Sequence, residues 1–314
     1  MVEIAGINIQ GLINQCPDNG TIYLPEGSFE IKETLNINKP IHIVGKGKGT
    51  YLFGTFDGPI FSISNVSGIE IEHIRFDAQK PLGVCLEIVH DEVIDVFRDD
   101  FLIHHCHFQG KGTGIDVYKS REGTIDHCTF TLEGESITLN TCTNVQISNC
   151  KMNSWSAQNA AIVVDGNSDN PHACGVRIIN NTIIGYLCGI NIAGNDYGDI
   201  SNNMIDYCDY PIIVEAQDQL LIAHNYIGSR GNQADGKSIA IKIDSKTQDY
   251  NQHIRILGNN IITYDGDIKD RSPIIAHKVN GLMVCNNTMS MFTNAWHYSD
   301  CFYIITDNNI SMGV

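Results

Sequence analysis

Short apolar alternations return along the chain at a nearly fixed interval, and beyond the first fifteen residues no long stretch carries helical spacing. Ile103-His104-His105-Cys106-His107-Phe108 recurs as Ile125-Asp126-His127-Cys128-Thr129-Phe130 and as Ile147-Ser148-Asn149-Cys150-Lys151-Met152. Further copies begin at Ile178, Ile200, Ile222, Ile256, Val284 and Ile305, with a degenerate one over 71–76. From Ile103 onward four steps are 22 residues, the last is 21, and the rest run from 28 to 34. A repeat this short, holding two or three strands, cannot bury its apolar face alone and must stack on its neighbours. The leucine and asparagine spacing of leucine-rich repeats is absent, so the pattern predicts a solenoid of strands.

The fourth residue of the motif runs Cys106, Cys128, Cys150, Asn181, Asn203, Asn225, Asn259, Asn287, Asn308. Asparagine tolerates left-handed backbone at a sharp turn, and identical amides one coil apart can hydrogen-bond along the stack. This column resembles the asparagine ladder of the pectate-lyase-like β-helix superfamily. The resemblance covers roughly residues 20–314, and Gly20-Thr21-Ile22-Tyr23-Leu24-Pro25-Glu26-Gly27-Ser28-Phe29 is similar to the first coil of that superfamily. It implies an all-β, single-stranded right-handed parallel β-helix of about ten to twelve coils. One domain is expected over 1–314, with 1–19 as a cap and 20–314 as coils. Apolar residues at 4, 7, 9, 12 and 13 predict a short helix over the first coil. The three cysteines that begin the ladder depart from the family pattern and read as small buried thiols. No cap follows the last repeat, so an assembly contact or a further domain downstream is expected at that end.

Ahead of each repeat lies another alternating strand, as in Gly114-Ile115-Asp116-Val117-Tyr118 and Pro211-Ile212-Ile213-Val214-Glu215. In the superfamily this sheet forms the substrate cleft. Its outward residues fall into two columns. One reads Cys85, Asp116, Thr138, Val163, Asn191, Ile213, Lys242, Ile275, Trp296; the other reads Glu87, Tyr118, Asn140, Asp165, Ala193, Glu215, Asp244, His277, Tyr298. Coils repeat at ~4.8 Å. Carboxyl groups about 5–5.5 Å apart suit a retaining glycosidase and about 6.5–9.5 Å an inverting one. Glu215 with Asp244 meets the first condition and Asp165 with Glu215 roughly the second, with His277 and Lys242 beside them. Trp296, Tyr298 and Tyr118 offer flat rings to sugar faces. Asp116, Asn140, Asn191 and Arg230 are the candidate polar contacts. Long segments over 82–100, 165–174, 228–237, 244–253 and 264–273 flank this face, as insertions on a binding side do.

Charge narrows the partners. A formal net charge of −16 excludes a phosphate-tracking nucleic-acid binder and argues more weakly against a strongly anionic polysaccharide. The first residues lack a basic region followed by an apolar run, and no stretch is long enough for a membrane span. Synthesis in the cytoplasm is expected, or a virion-associated destination for a phage component. Eleven cysteines without a CxxC pair predict neither a disulfide framework nor structural zinc. His73, His105 and His127 share a column with Asn149, Asn180 and Asn202, which makes them polar turn residues rather than metal ligands.

Carbohydrate is therefore the expected partner, with a polysaccharide-degrading glycoside hydrolase as the leading reading. A polysaccharide lyase is an alternative, using Lys242, Arg230 or His277 as base, with calcium as its cofactor; the hydrolase needs none. The superfamily's pectate-lyase and polygalacturonase signatures are absent. The non-catalytic alternative is a structural or adhesive module of the phage tail-spike type, for which a homotrimer is the implied assembly. The apolar column Val163, Ile213, Ile275 and Trp296 would be its subunit contact.

Overall fold

Isoleucines set the register of the parallel ladders that hold each coil to the next. In the computed structural model, which describes residues 7–91, 100–154, 158–166, 174–194, 196–215, 217–232, 236–245, 251–264 and 268–312, the chain divides into two compact units, Met1–Met152 and Asn153–Val314. Both are wound as parallel β-solenoid, about ten turns in all, and the only helical element among the described residues is a short one near the N-terminus. Each unit carries one sheet with two strands per coil and a second sheet with one. No helix among the described residues is long and apolar enough to cross a membrane.

In the first unit Ile103 pairs with Ile125 and Ile125 with Ile147. Phe76, Phe108 and Phe130 form a stack behind them, with ring centroids 5.4 and 4.8 Å apart. The helix Ile9–Gln15 rests on the first coil through buried Ile9 and Ile13. Asn8 caps it by accepting from the Gly11 N–H at 2.8 Å. Gln10 bonds both the N–H and the carbonyl of Asn36 on the strand Leu35–Ile37, while Lys39 donates to the Asn14 and Cys16 carbonyls that the helix end leaves open. Residue 4, the first apolar position of the expected helix, lies outside the described residues.

The second unit repeats the device with Ile178, Ile200, Ile222, Ile256 and Val284 in successive register. Behind them runs the asparagine ladder. Asn225 Oδ1 accepts from the backbone N–H and side-chain amide of Asn203 at 2.8 and 3.0 Å. Its Nδ2 donates to the Ile200 carbonyl at 2.9 Å and to Asn259 Oδ1 at 3.0 Å. Asn203, Asn259 and Asn287 repeat this pattern, so a fully buried polar column has its hydrogen bonds met within the stack. In the first unit the cysteines serve the same carbonyls with a weaker donor: Cys106, Cys128 and Cys150 reach the Ile71, Ile103 and Ile125 oxygens at 3.7–3.8 Å. All eleven cysteines are free, and burial pushes the Cys106 thiol up to about 12.

Two expectations need correction. The left-handed residue of the turn is not the ladder residue but the one before it: His73, His105, His127, Asn149, Asn180, Asn202, His224, Gly258, Asn286 and Asn308 all have φ between 49° and 64°. The ladder asparagine sits inside, where its amide is needed for axial bonding. The last rung is also Asn309, not Asn308, since Asn287 N–H and Nδ2 both donate to Asn309 Oδ1 at 3.0 Å. The final step is thus 22 residues, pairing Val284 with Thr306 and Met283 with Ile305. This one-residue shift gives Ile305 the outward phase of Met283, on a last strand whose residues are all exposed.

Asn225→Ala strands the Ile200 carbonyl and the Asn203 N–H in the core, each at roughly 1–3 kcal/mol. It is expected to cost about 3 kcal/mol or more, against about 1 kcal/mol for Cys128→Ala, which removes one weak donor. Urea unfolding of the two variants checks this, and equal losses would contradict it. A thiol reagent at mild alkaline pH is expected to label at most Cys174, Cys285 and Cys301 in the native protein, and all eleven cysteines after denaturation.

Candidate functional site

The single-strand sheet of the second unit consists of Ala160–Asp165, Cys188–Ala193, Tyr210–Glu215, Lys237–Asp244, Asp270–His277 and His297–Ser299. Buried Ile162, Ile190, Ile212, Ile241 and Ile274 anchor their inner face, so the alternate side chains turn outward. Asp165, Ala193 and Glu215 lie in direct register. Ile213 pairs with Lys242 and Val214 with Ile243, which brings Glu215 beside Asp244, and Asp244 in turn pairs with His277. An outward row Asp165, Ala193, Glu215, Asp244, His277 results, at ~4.8 Å per coil. Asp165 is exposed, and Glu215, Asp244, His277 and Lys242 are half-buried.

His277 closes the row. Its Nδ1 lies 2.9 Å from Ser299 Oγ and 3.8 Å from Asp300 Oδ2, so Nε2 is the ring nitrogen left for chemistry. Lys242 points the same way two residues before Asp244, in register with Ile213 and Ile275. Asn191 stands between Val163 and Ile213, and its Oδ1 is buried with no hydrogen-bond partner among the described residues.

At the C-terminal end the columns differ from expectation. Ile275 pairs with His297, Ala276 with Tyr298 and His277 with Ser299. Trp296 precedes the strand, and Tyr298 is set opposite inward Ala276 with a buried hydroxyl that has no hydrogen-bond partner among the described residues. The two rings stack at 6.4 Å between centroids. The physical reason is the same shift that moved the last rung: Trp296-His297-Tyr298-Ser299 offers no isoleucine pair to fix the alternation. Ser299 and His297 were missed for that reason, and an unbroken 22-residue step would have found both.

Arg230 does not stand free for a ligand. It forms an ion pair with Asp209 and lies over the Tyr207 ring at 5.8 Å. Parts of the long segments flanking this sheet, 167–173, 233–235, 246–250 and 265–267, fall outside the described residues.

Three other predicted residues belong to the first unit. Asp116 accepts from Thr138 Oγ1 and from Asn140 Nδ2, while Tyr118 is 39% exposed with the Lys119 ammonium 5.3 Å from its ring centre. Their neighbour in register is Glu87 for Asp116, not Cys85. Cys85 is buried because two consecutive residues, Cys85 and Leu86, turn inward where the strand begins. The segment 92–99, part of the long 82–100 loop, lies outside the described residues.

No protein-family model matches the sequence, and no curated protein matches it. Solved structures do. The A-module of a mannuronan C-5 epimerase from Azotobacter vinelandii superposes with a TM-score of 0.73 at 14% identity, over 94% of this chain and 87% of that one. A surface protein and adhesin of Streptococcus pneumoniae gives 0.70 at 14% identity, over 97% and 93%. A family 28 exopolygalacturonase of Yersinia enterocolitica gives 0.59 at 10% identity, over 96% and 76%. At such identities the likeness is one of fold, and the fold is the right-handed parallel β-helix.

Proposed function

We propose that this protein acts on a polysaccharide or oligosaccharide, as a glycoside hydrolase that uses the outward carboxylates of the second unit. The observation that carries the reading is the register that sets Glu215 and Asp244 on neighbouring coils with His277 on the next. Backbone spacing of ~4.8 Å allows the two carboxyl groups the close approach of a retaining pair. One protonates the leaving glycosidic oxygen while the other attacks the anomeric carbon from the opposite side. Water, deprotonated by the first, then releases the sugar. Asp165, two coils from Glu215, is the partner for the longer, inverting spacing. Trp296 is the aromatic best placed to receive a sugar ring at the end of this row. The epimerase and the exopolygalacturonase of like fold both have names that denote carbohydrate chemistry, which supports the substrate class.

One observation favours a second chemistry. His277 is held through Nδ1 by Ser299, the arrangement of an oriented base, with Lys242 on the preceding coil in the neighbouring column of the same face. A lyase would use such a base to take the proton α to a uronate carboxylate, with Lys242 offsetting the carboxylate charge. The adhesin of like fold supports the non-catalytic reading.

Incubation with a panel of neutral and uronate-containing polysaccharides, following reducing ends and unsaturated-product absorbance together, separates the three. The hydrolase predicts reducing ends without unsaturation, with kcat reduced at least about a thousandfold in Glu215→Gln and Asp244→Asn and unchanged in Tyr298→Phe. Unsaturated product lost in His277→Ala would establish the lyase. Glycan binding without turnover across the panel would leave the adhesive module.

A further inference from the structure

The first unit carries a second cluster of chemistry-bearing side chains, on its two-strand sheet. His42 lies on the strand Ile41–Gly54, Glu70 and Glu72 on Ile69–Ala78, and His104 on Phe101–His104. Parallel pairing sets His42 against Glu70 and Glu72 against His104, so three successive coils each present a ligand-type residue on one outward face. The buried isoleucines Ile43, Ile71 and Ile103 fix that face. None of the four has positive φ, unlike His73, His105 and His127.

The side chains converge. His42 Nε2 is 3.0 Å from Glu72 Oε1 and 3.8 Å from Glu70 Oε1, and one ligand atom from each of the three lies within 4.8 Å of the others. Each carboxylate has a further imidazole partner. His104 Nε2 is 3.0 Å from Glu70 Oε1, and His73 Nε2 is 3.2 Å from Glu72 Oε2. Among the described residues no lysine or arginine pairs with either carboxylate. Two like charges therefore sit two residues apart on one strand face, offset only by imidazoles.

We infer that His42, Glu70 and Glu72 bind a divalent transition-metal ion of the zinc type. Ligand atoms around a four-coordinate ion at bonds of about 2.0–2.2 Å stand roughly 3.3 Å apart, so small side-chain rotations suffice. One imidazole with two carboxylates balances a 2+ charge and suits zinc or manganese. Calcium, which takes six to eight oxygens, is a poor match for it. His104 and His73 are positioning residues that hold the carboxylates toward the ion, and a fourth coordination position stays open to water. The ion joins two consecutive coils directly, and His104 on the third supports it through Glu70. Side chains at 16–38% exposure leave it reachable from solvent.

The test uses the full chain stripped with a chelator and titrated with Zn²⁺ in a calorimeter and with Co²⁺ in a spectrophotometer. One ion per chain with a micromolar or tighter Kd is expected, with visible Co²⁺ bands free of thiolate charge transfer and a rise in Tm on adding Zn²⁺. His42→Ala and the near-isosteric Glu72→Gln should each weaken binding at least about a hundredfold, and His104→Ala about tenfold, with native circular dichroism retained. Glu72→Gln guards against loss of fold in His42→Ala. Unaltered affinity in both variants, absence of binding at millimolar Zn²⁺, or a thiolate band locating the ion on a cysteine would overturn the assignment.

Discussion

Coil-to-coil stacking at a fixed axial spacing is the constraint on which everything else here rests. Parallel backbone ladders supply the spacing, but a parallel strand can slip by one residue and still keep its backbone bonds, turning every side chain to the opposite face. The buried asparagines remove that freedom in the second unit. Asn203, Asn225, Asn259 and Asn287 each join an amide to the next coil and to a carbonyl of the coil before, and a slip would strand those groups in the core. The cysteines of the first unit make the same contacts with weaker thiols, so there the register leans more on apolar stacking, the Phe76–Phe108–Phe130 column above all.

Once register is fixed, chemistry follows from position. A residue recurring at one step of the repeat becomes a row along the coils, and functional groups far apart in sequence become neighbours one coil apart. Glu215, Asp244 and His277 are brought together in this way across insertions, and so are His42, Glu70, Glu72 and His104 on another face. The first set supports the proposed glycan chemistry. The second supports a metal site that joins adjacent coils.

Most of the fold was legible because isoleucine and asparagine recur where the core needs a branched apolar side chain and a stacked amide. Errors arose where the pattern carries less physical information. Asparagine suits both a left-handed turn and an internal ladder, and Asn308-Asn309 offers one of each; only the axial bond to Asn309 separates them. The same ambiguity displaced Trp296 and Tyr298, whose strand has no isoleucine pair to fix its phase. Strict alternation would turn Cys85 outward, but Cys85 and Leu86 are both buried at the start of their strand. The His42 cluster carries no repeat signal, because Ile41-His42-Ile43-Val44 lies on a coil without a ladder residue.

The central claim, that register across the 29-residue step between neighbouring strands aligns Glu215 with Asp244, can be measured by disulfide trapping. Adjacent parallel strands place such a pair within the Cα separation of about 4.4–6.8 Å that a disulfide requires. Glu215→Cys with Asp244→Cys is expected to cross-link readily on mild oxidation, as read by peptide mass mapping. Ile213→Cys with Asp244→Cys, offset by two residues, should cross-link slowly or not at all. Faster cross-linking of the offset pair would contradict the register and dissolve the row of carboxylates built on it.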